Sequence, residues 1–159
     1  MRLSIIGSLI LAFVLSVFPI DPEWRWLRPE FVVLIVIYWL VHEPQYFGLY
    51  AAWWVGLLQD IVQLDILGPN ALLLSIVAYI CQLFYRRIQN YGIWQQSGLI
   101  FVLTGVYSFF NHWINGLTDS GVSTSAMLIN ALITAFLWPL VVYLFKSLTG
   151  QSMLYKHIN

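Results

Sequence analysis

Apolar residues run in long stretches along this chain, and charged residues separate those stretches at wide intervals. A helix needs about 20 mostly apolar residues to cross the hydrocarbon core of a bilayer. The pattern therefore predicts one polytopic all-α membrane domain over 1–159 with about six transmembrane helices. The uncharged stretches cover 3–20, 31–41, 46–58, 66–85, 88–118 and 120–145. The predicted helices cover approximately 3–20, 29–42, 45–59, 69–86, 96–114 and 125–146.

The second and third stretches are short for a membrane span. At a rise of 1.5 Å per residue they reach only ~17 and ~20 Å, against a hydrocarbon core of ~30 Å. Each helix could extend into its polar flanks, with Pro29 in the first turn. Alternatively, the pair could form a re-entrant hairpin covered by the other helices. Both arrangements return the chain to the same side, and we expect two spans through a locally thinned region lined by protein.

The distribution of basic residues predicts an orientation, because cytoplasmic loops carry an excess of Lys and Arg. With six passes and the N-terminus inside, five basic residues face the cytoplasm and two face outward, so both termini are predicted to be cytoplasmic. The inner set is Arg2, Arg86, Arg87, Lys146 and Lys156, and the outer set is Arg25 and Arg28. The pair Arg86-Arg87 could serve as a topology anchor, or it could contact anionic lipid or a cytoplasmic partner.

Composition supports a membrane protein without catalytic chemistry. Hydrophobic residues make up 60% of the chain and charged residues 9%, against roughly 45–50% and 25% in soluble domains. A net charge of zero without a basic run argues against nucleic-acid binding. No catalytic triad, phosphate loop or metal-ligand spacing is recognisable, so we expect no enzymatic activity, cofactor or metal. Cys81, the single cysteine, is expected to be an inert apolar residue.

Small residues recur every four positions along the first and third predicted helices. Such stripes allow helices to approach closely in lipid. They could pack against helices of the same chain, or they could dock the transmembrane helix of a partner. The stripes are Ser4, Ser8, Ala12 and Ser16 in the first helix, and Gly48, Ala52 and Gly56 in the third.

Asp60 continues the stripe of the third helix by one further step of four residues. A carboxylate near membrane depth is costly and tends to face protein or water. We expect Asp60 to pair with Arg25 or Arg28, both predicted on the same side, which would tie two outer loops together. An ion or proton site at Asp60 and Asp65 is the alternative.

Short segments along most of the chain, from about 19 to 146, resemble one family when taken in order. They are RPEFVVL at 28–34, YW at 38–39, GLLQD at 56–60, ILG at 66–68, SIVAY at 75–79, IWQQ at 93–96, Asn130, and LWP at 137–139. This ordered set, with a length near 160 and six spans, resembles the rod shape-determining protein MreD family of Gram-negative bacteria. Within these segments we expect structural roles for Arg28, Pro29, Asp60, Gly68, Trp138 and Pro139.

The resemblance implies a non-enzymatic inner-membrane scaffold subunit of the cell-wall elongation (Rod) machinery that binds MreC and helps to determine rod cell shape. It implies an assembly that also contains MreB, RodZ, RodA and its partner transpeptidase. The family is similar in fold to the substrate-binding subunits of energy-coupling-factor transporters, in which a small-residue stripe on the first helix docks the coupling subunit. By fold-level analogy, the first stripe is a candidate docking face.

A small-molecule-binding transporter subunit is the alternative function. It would need a pocket with a few convergent polar groups. The polar candidates are scattered along the chain: Asn70, Gln82, Asn111, His112 and Asn130. An accessory that binds lipid-linked precursors is a third possibility, with arginines as phosphate ligands.

Overall fold

The computed structural model describes residues 2–17, 29–63, 67–116 and 124–148. These residues form six α-helices, which confirms the prediction of an all-helical chain with about six helices. The helices are α1 (Arg2–Val17), α2 (Phe31–His42), α3 (Leu49–Gln63), α4 (Pro69–Asn90), α5 (Ile93–Gly116) and α6 (Thr124–Leu148). Positions 18–20, which we assigned to the first helix, lie outside the described residues.

The helix bounds differ from the approximate sequence-based ones by a few residues, and for two helices the reason is identifiable. We placed the start of the third helix at 45, but α3 begins at Leu49, because a turn occupies 44–46 and the first helical amide bonds run back to Gly48. We placed the end of the fourth helix at 86, but α4 continues to Asn90. Basic side chains are favourable in the last turn of a helix, so Arg86 and Arg87 extend α4 rather than end it.

The central element is α2, whose residues 32–41 are all buried. It contacts α1, α4, α5 and α6. A helix that is apolar on every face is typical of a protein core, and the sequence FVVLIVIYWLVH contains no charged residue before His42. Because neighbouring helices cover α2, it has no lipid-facing surface to match to the bilayer. A helix of 12 residues, which is shorter than a membrane span, can therefore occupy this central position.

Two antiparallel helix pairs, α3–α4 and α5–α6, make the most extensive contacts, and α1 packs mainly on α2. The start of α2 is tied to α6, because the Glu30 backbone N–H donates to Thr134 Oγ1 at 3.2 Å. Its other end lies among aromatic rings: the Tyr38 ring stacks on His42 at 4.3 Å and lies 4.7 Å from Phe145. These contacts fix α2 at both ends.

The outer surface of the helices is apolar. Two helical segments, Pro69–Asn90 and Leu128–Ser147, are long and apolar enough to cross a membrane, and α1 and α2 are shorter apolar helices, within the residues described. Large apolar side chains such as Ile10, Val14 and Phe136 are exposed, Phe136 by 77%. Soluble monomers rarely expose contiguous apolar surface of this kind, so the surface is consistent with a membrane protein.

Candidate functional site

Asp60 lies at the end of α3 and caps the start of α4. Its Oδ2 accepts the Gly68 backbone N–H at 2.8 Å, and its Oδ1 accepts the Asn70 backbone N–H at 3.2 Å. The first amides of a helix have no partner within that helix, and Gly68, at the N-cap position, has no side chain to serve as one. A carboxylate is also favoured near the positive end of the helix dipole. Asp60 therefore supplies the missing cap from a neighbouring helix.

Gly68 and Pro69 shape the same corner. Gly68 has φ +117°, a backbone conformation that costs glycine little and other residues much more. Pro69 follows at the first helical position, where the absent N–H removes one amide that would need a partner. Together with Asp60, these two residues allow a tight entry into α4 in which the Gly68 and Asn70 amides both have an acceptor.

The small-residue stripe of α3 packs against α4. Ala52 is completely buried, and a methyl group added at Gly56 would lie 2.5 Å from the Ala71 Cα. Glycine is thus the residue that permits the two backbones to approach at this point. A methyl group at Gly48 would lie at an ordinary 3.5 Å from Gln82 Nε2. Of the two alternatives for this stripe, internal packing is what the structure shows for Ala52 and Gly56.

A buried hydrogen-bond network extends from this corner to α5. The Tyr107 hydroxyl donates to Asn70 Oδ1 at 2.5 Å and accepts from Gln59 Nε2 at 3.3 Å. Asn70 Nδ2 in turn donates to Gln63 Oε1 at 3.2 Å. Gln59, Asn70 and Tyr107 each have an exposed fraction of about 1%. We refer to Gln59, Asp60, Gln63, Asn70 and Tyr107 as the polar corner, which links α3, α4 and α5.

The stripe of α1 is divided between buried and accessible positions. Ser8 and Ala12 are buried, and Ser8 Oγ accepts the Trp39 Nε1–H at 2.8 Å while donating to the Ile5 carbonyl. Ser4 is exposed and Ser16 is half-buried. Ser8 and Ala12 therefore belong to the internal contact of α1 with α2. Docking of a partner on α1 stays a prediction, and its accessible members are Ser4 and Ser16.

A second polar contact joins α4, α5 and α6. Gln96 donates through Nε2 to the carbonyls of Ile88 and Tyr91, at 2.9 and 3.1 Å, and its Oε1 accepts the Trp138 Nε1–H at 3.1 Å. Trp138 has no exposed surface. Pro139 follows it inside α6, where a proline is tolerated in membrane helices when neighbouring helices support the backbone.

Several predicted residues lie outside the described residues, namely Arg25, Arg28 and Asp65. The predicted ion pair of Asp60 with an arginine therefore stays a prediction. What the structure shows for Asp60 is that each of its oxygens accepts a backbone amide. Pro29 is half-buried, and its carbonyl accepts the Phe31 N–H at 2.9 Å just before α2.

Sequence reasoning identified Asp60 and Gly68 but not their contact, and it placed Asn70 in a scattered polar set. The available signal was the Gly-Pro-Asn run at 68–70, typical of a helix start, with an aspartate eight residues upstream. Nothing in the linear sequence signalled Tyr107, and Gln96 was singled out only as part of the IWQQ segment, without its contacts, because the partners of both residues lie on other helices. Among the described residues, no group of three or more His, Cys, Asp or Glu side chains could hold a metal ion.

Comparison with known protein families shows to which family this chain belongs. A family model described as rod shape-determining protein MreD matches residues 1–148. The chain belongs to the MreD family. It is 27% identical over 156 residues to the rod shape-determining protein MreD of Haemophilus influenzae, covering 96% of this chain and 94% of that protein. No solved structure matches the chain, so its likeness in fold to transporter subunits stays a prediction.

Within the matched range of this MreD-family chain, several segments that carried the resemblance occupy helix contacts. Gly56, Asp60 and Gly68 form the α3–α4 corner, and Trp138 forms the contact with α5. These contacts hold helices together: Asp60 and Trp138 are completely buried, and each is hydrogen-bonded to a residue outside its own helix. The arrangement can position helices.

Proposed function

We propose that this MreD-family chain is a non-enzymatic inner-membrane scaffold subunit of the cell-wall elongation machinery, with both termini in the cytoplasm, and that it binds MreC. The observation that carries the proposal is the family match over residues 1–148, together with a relative named as a rod shape-determining protein that aligns over 94% of its length. Through MreC, the chain would join an assembly with MreB, RodZ, RodA and its partner transpeptidase.

The distribution of polar and apolar groups supports a role in helix contact. The polar corner and the Ser8–Trp39 and Gln96–Trp138 bonds are turned inward, whereas the exposed faces of α1, α3 and α6 are apolar. In a bilayer, helices associate through packing, hydrogen bonds and lipid release rather than through the hydrophobic effect. A rigid bundle with apolar faces is suited to holding a partner helix in a fixed position.

The transporter alternative gains no support from three of the five polar residues that we considered for it. Asn70 is bonded within the polar corner, Asn130 accepts from Thr134, and His112 bonds the Ser108 carbonyl of its own helix. A ligand site would require several such groups to converge on one pocket. A groove beside α3 and α4 is lined mainly by aliphatic and aromatic side chains.

Site-specific photocrosslinking in cells tests the scaffold role and the docking face together. Probes at Ser4 and Ser16 report on α1, probes at Trp54 and Phe136 report on other exposed faces, and a probe at the buried Ala12 is the matched control. We expect an adduct with MreC from at least one exposed position, and only adducts within the chain from Ala12. A full set of exposed probes that gave no adduct with MreC, in cells whose rod shape the variants restore, would contradict direct binding.

A further inference from the structure

A groove lies between α3 and the middle of α4, with a volume of about 340 Å³. Its lining residues are Leu49, Tyr50, Trp53, Trp54 and Ser75. The Ser75 hydroxyl is directed to its own helix, because Ser75 Oγ donates to the Ala71 carbonyl at 2.7 Å, and the other lining side chains are aliphatic or aromatic. The groove therefore presents apolar surface, and Tyr50 and Trp54 on its rim are exposed by 83% and 59%.

Helices α3 and α4 are antiparallel, and the groove between them lies on the same face of α4 as Arg86. Gly56 lies against Ala71, and Gly48 lies near Gln82, so the groove lies beside the part of α4 between Ala71 and Gln82. Arg86 stands eleven positions after Ser75, which is about three turns, so the two residues share a face, ~16 Å apart along the axis. That separation is close to half of a ~30 Å hydrocarbon core.

Arg86 is available to an anion at the end of this face. Its side chain is exposed, its Nε–H donates to the Tyr85 hydroxyl at 2.9 Å, and its guanidinium lies 5.7 Å from the centre of the Tyr85 ring. Within the described part of the chain, the contacts of Arg86 are with Tyr85 and not with a carboxylate. Arginine binds phosphate oxygens through its planar set of donors.

We propose that the groove and Arg86 together form a binding site for one anionic phospholipid, with an acyl chain in the groove and the phosphate at Arg86. An apolar groove that shares a helix face with a cation ~16 Å away along the axis has the polarity profile of such a lipid. A partner helix is a poorer fit, because close helix approach requires small residues at the contact, and the groove is walled by Tyr50, Trp53 and Trp54. The lipid would belong to the cytoplasmic leaflet, which rests on the proposed orientation.

Arg87 provides a matched control, because it is adjacent, equally basic and exposed, but about 100° away from the groove face. The full-length chain, purified in detergent, is mixed with phosphatidylglycerol and phosphatidylcholine of identical acyl chains, and bound lipid is counted by native mass spectrometry. We expect Arg86→Gln to lower phosphatidylglycerol binding by about fivefold, the effect of one interfacial basic residue. Arg87→Gln should change it less than twofold. Phosphatidylcholine binding should fall less with Arg86→Gln than phosphatidylglycerol binding does, because choline neutralises the charge of its phosphate.

Filling the groove tests the acyl-chain half of the site. Ser75→Phe should lower the binding of both lipids, whereas Ser75→Ala should leave it unchanged. Equal losses from Arg86→Gln and Arg87→Gln would overturn the proposal in favour of diffuse attraction to anionic lipid. Equal retention of the two lipids by the unmodified chain would overturn the assignment of an anionic lipid to the site. If the purified chain forms a dimer that Ser75→Phe abolishes, the groove binds a second copy of the chain and not a lipid. None of these measurements involves MreC, so their failure is separate from failure of the scaffold proposal.

Discussion

The substitution Gly56→Ala tests the closest approach in the structure. A Cβ at this position would lie 2.5 Å from Ala71 Cα, 2.6 Å from the Asn70 carbonyl oxygen and 2.7 Å from Ala71 N. All three atoms belong to the backbone of α4, so no side-chain rotation relieves the clash. Ordinary contact begins near 3.4 Å, and α3 and α4 would therefore have to separate by about 1 Å at this point.

The expected loss in the free energy of unfolding depends on the contacts that this separation of α3 and α4 disturbs. Overpacking of a well-packed contact costs about 1–3 kcal/mol. The same movement lengthens the two Asp60 bonds to the start of α4, now at 2.8 and 3.2 Å, and each bond to a charged group contributes about 1.5–3 kcal/mol. Alanine recovers about 1 kcal/mol of helix propensity. We expect Gly56→Ala to lower the free energy of unfolding by about 2–5 kcal/mol overall.

The assay is reversible unfolding of the purified chain in mixed micelles, followed by far-ultraviolet circular dichroism. Gly7→Ala and Gly98→Ala are matched controls, because both glycines are helical and nothing lies within 4 Å of an added methyl group. They should be neutral or stabilising by up to about 1 kcal/mol. Adding Ala71→Gly to Gly56→Ala should not restore stability, since the clash is with backbone atoms. A Gly56→Ala variant as stable as Gly7→Ala would refute the reasoning.

The remaining predictions use the same unfolding measurement. Asp60→Ala should cost about 2–5 kcal/mol because two amides of α4 lose their acceptor, and Asp60→Asn should cost less because one carbonyl oxygen remains; equal losses would contradict the capping role. Tyr107→Phe should cost about 1–3 kcal/mol by leaving Asn70 and Gln59 without their shared hydroxyl. Trp39→Phe and Ser8→Ala should show a coupling of about 1 kcal/mol in a double-mutant cycle, and zero coupling would argue against their hydrogen bond.

The helical architecture could be predicted from the sequence because it depends on local properties of the chain. Runs of apolar residues predict helices in lipid, since a helix satisfies its own backbone hydrogen bonds where water is absent. The segments that carried the family resemblance, such as GLLQD at 56–60 and LWP at 137–139, were also readable in order along the chain. The family model then confirmed that resemblance over residues 1–148.

The sequence did not reveal in the same way which face of each helix is buried. The stripes of α1 and α3 looked alike in the sequence, yet in α1 two of four members are buried against α2, while in α3 Gly56 meets the backbone of α4. In a soluble helix, hydrophobicity distinguishes the buried face from the exposed one. In α2, apolar residues occupy every face, so the sequence contains no such contrast.

For this chain, the sequence by itself predicted a membrane protein of about six helices and the family to which it belongs. Only the tertiary structure decided that α2 is the buried centre, that Asp60 caps α4 and that Tyr107 joins Asn70 to Gln59. Helix formation depends on neighbours within one turn, so it can be predicted from the local sequence. A buried polar group must instead find a partner wherever packing places one, and for Tyr107 that partner lies 37 residues away on another helix.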